Sequence, residues 1–154
     1  MTKVNSNKLV STYSEDKNFS SKALVHYGSN LGSTVGFPKF TALERKAFYI
    51  PLNLLSVFVG IILSDANLSK SNKGEARLQF KQTIKHIGYF YFVFFKLSHY
   101  CSKGPYTTRT TVQIKEHIGL GFTTRSLPCI TELYNIFYVN NKKIIPYELF
   151  DLMT

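Results

Sequence analysis

From about residue 50 onward, apolar and polar positions repeat with two alternating periods, and the alternation predicts helices and strands in turn. Leu54 to Leu63 is a nearly unbroken apolar run, preceded by Pro51 and by Asn53 as a candidate N-cap, which predicts a first helix ending between Ser64 and Asn67. Gly60 inside that run costs about 1 kcal/mol relative to Ala, so a close helix contact is expected there. Glu75 to Gln82 then switches to period two, with Arg77, Gln79 and Lys81 on one face and Ala76, Leu78 and Phe80 on the other. Paired with Asn67 to Lys70 through the turn Ser71-Asn72-Lys73-Gly74, this half-buried strand predicts a hairpin.

Lys85 to about Ser98 is long and aromatic enough for a second helix lying beneath the sheet. Tyr106 to Lys115 returns to period two: Thr107, Arg109, Thr111, Gln113 and Lys115 share one face, and Tyr106, Thr108, Thr110, Val112 and Ile114 the other. Leu120 to Arg125 sets Gly121, Thr123 and Arg125 against Leu120, Phe122 and Thr124, completing a second hairpin. Pro128 opens a last helix, Cys129 to Tyr138, with Ile130, Leu133, Ile136 and Phe137 at helical spacing. A basic turn at Asn140-Asn141-Lys142-Lys143 follows, and a new element begins after Pro146. The order is α-β-β-α-β-β-α, an α/β (α+β) chain with an antiparallel four-stranded sheet.

With 154 residues the chain holds one domain and one site. The first 40 or so, rich in Ser, Asn, Gly and Lys and without a sustained period, read as an extended or disordered arm over residues 1–44. Its Lys3, Lys8, Lys17, Lys22 and Lys39 suit a polyanion backbone or a solvated tail equally. Nineteen Lys and Arg against nine Asp and Glu give a net charge of +10, which brings nucleic acid forward as partner, although a basic ribosomal component fits the charge too. Cys101 and Cys129 lack the spacing of a zinc site or a disulfide scaffold, so both are expected as free thiols. Met1 to Lys8 has no secretory apolar region, and Ile87 to Phe95 is far shorter than the roughly 20 residues of a membrane span, so no membrane partner is expected.

Phe58-Val59-Gly60-Ile61-Ile62-Leu63-Ser64-Asp65-Ala66 resembles the LAGLIDADG motif, with the interface glycine and the final acidic residue in register. Ala66 replaces the usual last Gly, and Leu63 stands where the motif's first Asp would be. Gly32 to Phe40, Phe122 to Cys129 and Asn141 to Pro146 are similar to the N-terminal half of two-motif mitochondrial intron-encoded endonucleases and maturases. The resemblance implies a LAGLIDADG half-domain over residues 45–145. It also implies that residues 146–154 are the lead-in to a second motif helix that does not follow, and that the chain is encoded in a mitochondrion or another organelle.

It further implies a site. Hydrolysing a phosphodiester at neutral pH needs a polarised phosphoryl group and an activated water, which divalent cations provide. Asp65 is then the Mg²⁺ carboxylate, Gly60 lets a second motif helix approach, and Lys143 assists near the metal-bound water, with Lys81 as a weaker candidate for that neighbourhood. Arg77, Gln79, Lys81, Arg109, Thr111, Gln113, Lys115, Thr123 and Arg125 are side-chain types that read base edges and phosphates of double-stranded DNA. One carboxylate makes half a metal site, so a second half is expected, as a homodimer or a separately encoded chain. A maturase acting on group I intron RNA, and an inactive truncated remnant, are the rival readings.

Overall fold

The computed structural model describes residues 31–153, and one compact unit begins at Ser33. Lys3, Lys8, Lys17 and Lys22 lie outside the described residues. From Ser33 the segment is not a free arm. Thr34 is buried, its hydroxyl donating to the Cys101 carbonyl at 2.9 Å. A short helix, α1 (Ala42–Ala47), follows, closed at its start by a reciprocal capping box. The Thr41 hydroxyl accepts from the Glu44 amide, and the Glu44 carboxylate accepts from the Thr41 amide. Thr-x-x-Glu is the sequence signal of that box, so the expected arm gives way to packed structure well before residue 45.

Helix α2 (Leu52–Leu63) starts at Pro51, whose extended backbone makes it the N-cap. The Leu54 and Leu55 amides both donate to the Pro51 carbonyl at 2.9 Å, so Asn53 sits inside the first turn rather than capping it. Leu54, Phe58, Val59, Ile61 and Ile62 face the core. The helix ends at Leu63, and strand β1 (Ala66–Lys70) begins three residues later, leaving Ser64 and Asp65 as the whole connection.

β1 turns through Ser71–Gly74 into β2 (Ala76–Thr83), with Gly74 at a φ of +89° where a Cβ would be strained. A one-turn 3₁₀ segment leads into helix α3 (Ile87–Leu97). β3 (Tyr106–Val112) and β4 (Lys115–Thr123) form the second hairpin, and Pro128 occupies the first position of helix α4 (Pro128–Phe137). A small hairpin, β5 (Tyr138–Val139) and β6 (Lys142–Lys143), and a last short helix α5 (Leu149–Met153) complete the described chain. The sheet order is β1-β2-β4-β3, antiparallel throughout. The predicted order of helices and hairpins therefore holds.

Helices α3 and α4 cover one face of the sheet. Phe80, Phe90 and Phe122 are fully buried there, with ring centroids 5.6–6.0 Å apart. Each such ring contributes about 1.5–3 kcal/mol of burial free energy, which fixes the sheet on its helices. Cys101 and Cys129 are free and buried, and burial pushes both thiols up to about 12. Among the described residues no helix is long and apolar enough to cross a membrane.

Candidate nucleic-acid interface and catalytic half-site

Residues opposite each other in a sheet point to the same side, so the register sorts the side chains by face. Gln79 stands opposite Thr123 and Lys81 opposite Gly121. Gly121 in turn stands opposite Tyr106, Gly119 opposite Thr108, and His117 opposite Thr110. The face away from the helices thus carries Arg77, Gln79 and Lys81 from β2, with Lys115, His117 and Thr123 from β4. Tyr106, Thr108 and Thr110 line it from β3, and Asn67 and Ser69, opposite Gln79 and Arg77, from β1.

That register corrects the expectation for the third strand. Arg109 lies opposite Ile118 and Thr111 opposite Glu116, on the helix side of the sheet, where Arg109 makes an exposed ion pair with Glu116 at 2.8 Å. Gln113 belongs to the turn, and Lys115 begins β4 rather than ending β3, although it does share the open face with Arg77. The alternation of this strand is real, but neither side of it is buried, and without one-sided burial a pattern fixes parity without saying which parity faces the core. The turn that would have settled it, Gln113-Ile114, contains none of the residues that announce turns, yet both adopt positive φ, 49° and 70°.

Two glycines shape the open face. A Cβ on Gly121 would stand 3.0 Å from the Tyr106 ring, which therefore lies directly over the glycine. The Tyr106 hydroxyl accepts from Gln79 Nε2 at 3.0 Å and sits 3.5 Å from the Thr123 hydroxyl. A Cβ on Gly119 would stand 2.5 Å from the Gln82 carbonyl oxygen, so only glycine permits this approach of β4 to β2.

At the edge of this face stands Asp65, exposed in the two-residue link between α2 and β1. Its Oδ2 accepts a hydrogen bond from Gln82 Nε2 at 2.8 Å. A cavity of about 420 Å³ opens beside it, lined by Lys81, Gln82, Thr83, Thr108 and His117. The Lys143 ammonium donates to the Ile62 carbonyl at 2.7 Å and to the Ala66 carbonyl at 2.9 Å, straddling Asp65 in sequence. It thereby caps the negative end of α2 and ties down the link that carries the acid. The β5–β6 hairpin makes this possible, because Asn140 and Asn141 take the positive φ of its turn and bring Lys143 opposite Tyr138. Arg125, beyond the end of β4, lies with its guanidinium 4.0 Å from the centre of the Phe40 ring. Burial is the main cause lowering its pKa.

Gln82 escapes a reading of the pattern alone, since it shares parity with Phe80 and so belongs to the buried side of β2. Half-buried near the end of the strand, its amide reaches Asp65. A polar residue on the apolar parity was the available signal. Gly60 is exposed, and a Cβ there would meet nothing within 4 Å. Asn53, Ser56, Gly60 and Ser64 form an exposed, small-residue stripe along α2.

The described residues contain no cluster of three or more His, Cys, Asp or Glu able to hold a metal. At the edge of the open face they offer the exposed carboxylate of Asp65, whose second oxygen accepts no hydrogen bond among them, next to the Gln82 carboxamide. Mg²⁺ seeks near-octahedral oxygen coordination from paired carboxylates, water and phosphate, so this donor set fits half of such a site.

A seven-element α-β-β-α-β-β-α arrangement, with an open polar sheet face, an exposed helix stripe and one acid at the helix-to-strand link, defines the fold and the candidate site. The family model described as the LAGLIDADG DNA endonuclease family matches residues 55–154, and the chain belongs to that family. The fold is similar to that of the homing endonuclease I-WcaI bound to its DNA recognition sequence, with a TM-score of 0.62 and 21% identity. The match covers 74% of this chain and 52% of that one, so this chain spans about half the length of that relative.

Proposed function

We propose that this chain is the DNA-binding half-unit of a site-specific, Mg²⁺-dependent, intron-encoded homing endonuclease. One observation carries the reading: Asp65, Lys81 and Gln82 line one cavity at the edge of an open sheet face that bears cations and hydrogen-bonding groups, and Lys143 holds both ends of the link that carries Asp65. The face would lie against duplex DNA, with Arg77, Lys81 and Lys115 toward phosphates and base edges, and Gln79, Thr123 and Tyr106 among the readers of sequence. Bound Mg²⁺ would polarise the scissile phosphoryl group and lower the pKa of the attacking water. Within this chain Asp65 would hold the ion, Gln82 would aim the carboxylate, and Lys143 would keep the link in place. The Gly60 stripe would receive a second motif helix, which brings the second carboxylate. The neighbour bound to DNA is about twice as long, which supports the need for two halves. Mitochondrial encoding goes with this reading on the strength of sequence resemblance.

The test is enrichment of duplexes from a randomised pool by the purified chain. The reading expects a defined sequence, bound with a log–log salt slope of about −0.9 per phosphate contact. It expects Mg²⁺-dependent scission of that sequence by assemblies with two motifs, lost in Asp65→Asn while binding stays. No enriched duplex, or scission by Asp65→Asn at an undiminished rate, contradicts it.

A further inference from the structure

Beyond the far end of the sheet from Asp65 lies a second cavity, of about 430 Å³. Lys39, Arg45, Lys73 and Arg125 line it, with Glu75 as the one carboxylate, so four cations face a single negative charge. That charge is already engaged, since Glu75 is ion-paired to Arg45. Lys39 and Lys73 have no carboxylate partner among the described residues. Ser71, Ser102 and Ser126 add hydroxyl donors to the same walls.

The pocket is built rather than incidental. Arg125 is held by the Phe40 ring and by two bonds to Thr34: its Nη2 donates to the carbonyl at 2.9 Å, and its Nε to the hydroxyl at 3.4 Å. Thr34 is itself buried and bonded to the Cys101 carbonyl. The Nη1 group, with no partner among the described residues, is left for a ligand. Lys73 stands in the Ser71–Gly74 turn, which the Ser71 amide closes by donating to the Glu75 carbonyl at 2.9 Å. A net excess of positive charge, a fixed guanidinium and hydroxyl donors together select a phosphate oxygen cluster over an apolar or cationic ligand.

Position says which phosphate. Glu75 lies two residues before Arg77 and Arg125 two after Thr123, so these two pocket residues carry the parity of the open face past the strand ends. Asp65 and Ser71 are separated by one extended strand, about 20 Å at roughly 3.3 Å per residue. That span matches roughly six base pairs at about 3.4 Å of rise per pair. We infer that this pocket clamps a backbone phosphate of the bound duplex, about six base pairs outward from the scissile bonds. This rests on the reading of the open face as the DNA surface, and it adds a sequence-independent contact that sets the register of the half-site.

Salt titration of duplex affinity by the full chain tests it, comparing Lys39→Ala/Lys73→Ala with Arg77→Ala/Lys81→Ala and with the charge-matched control Lys96→Ala/Arg109→Ala. The clamp predicts a slope shallower by about 0.9 for Lys39→Ala/Lys73→Ala, for one lost phosphate, with affinity falling equally for all duplex sequences. The control stays at the wild-type slope. An unchanged slope in Lys39→Ala/Lys73→Ala beside a reduced one in Arg77→Ala/Lys81→Ala overturns the clamp and leaves the DNA-binding face standing. No duplex binding by the wild type at low salt removes both. Inorganic phosphate is titrated in parallel: micromolar binding that Lys39→Ala/Lys73→Ala abolishes, with the duplex slope unmoved, marks a free-phosphate site and also overturns the clamp.

Discussion

Gln82 donates its side-chain amide to Asp65 Oδ2 at 2.8 Å, joining the end of β2 to the link that follows α2. One carboxylate oxygen is thereby oriented by a neutral donor while the other stays open to a cation. Asp65→Asn keeps the size of the side chain and removes its charge. Expected is retained duplex affinity with loss of Mg²⁺-dependent scission in any two-motif assembly that cuts. Gln82→Ala should slow scission without abolishing it, because the carboxylate remains. Strand-scission rates on a selected duplex check both, and equal rates for wild type and Asp65→Asn would remove Asp65 from the metal site.

Gly119→Ala would set a methyl group 2.5 Å from the Gln82 carbonyl, backbone against backbone, with no flexible side chain to yield. The strands must separate, at about 1–3 kcal/mol of destabilisation typical of overpacking. Chemical denaturation reads the loss. Because the strain falls on Gln82 itself, scission should drop in the surviving folded fraction too.

Ile114 carries a φ of 70° and is almost wholly exposed, a β-branched residue in a left-handed turn position. Asn-Gly is the favoured pair for the two-residue turn seen here. Replacing Gln113-Ile114 by Asn-Gly should therefore stabilise the protein by about 1 kcal/mol, as relief of strain worth roughly 1–3 kcal/mol outweighs the flexibility of glycine. An unchanged or lower melting temperature would show that the turn is not strained.

The buried thiols give a pH prediction. Their folded pKa, about 12, stands above the reference value of 9.0, so the neutral form is the one the fold favours. The stabilisation is complete below pH 9 and is lost as pH rises toward 12. Cys101→Ala/Cys129→Ala should lose less denaturation free energy across that window than the wild type. At neutral pH a thiol reagent should leave the native protein unmodified and label Cys101 and Cys129 only after unfolding.

What the sequence disclosed follows from where one-sided burial exists. β2 has Ala76, Leu78 and Phe80 buried against Arg77 and Lys81 exposed, so its pattern gave both the strand and its face. β3 is buried on neither side, so Arg109 and Thr111 were legible as strand residues but not as residues of the helix side. The motif located Asp65 between α2 and β1, because the apolar run of α2 stops abruptly there. Gln82 and Tyr106 joined the site only through register, a long-range property that no local window contains. Thr34 was hidden among turn-forming residues, its burial depending on carbonyls 65 and 67 positions away.

Which face of the sheet meets DNA is decided by comparing Arg77→Ala/Lys81→Ala with Lys96→Ala/Arg109→Ala in duplex affinity measured across salt concentrations. Both pairs remove two positive charges, and the register puts the first pair on the open face while Arg109 sits on the helix side and Lys96 on α3. The first pair should bind more weakly, with a slope shallower by about 1.8 for two lost phosphate contacts, and the second should match the wild type. Equal losses in the two pairs, or a larger loss in the second, would contradict the open face as the DNA-binding surface.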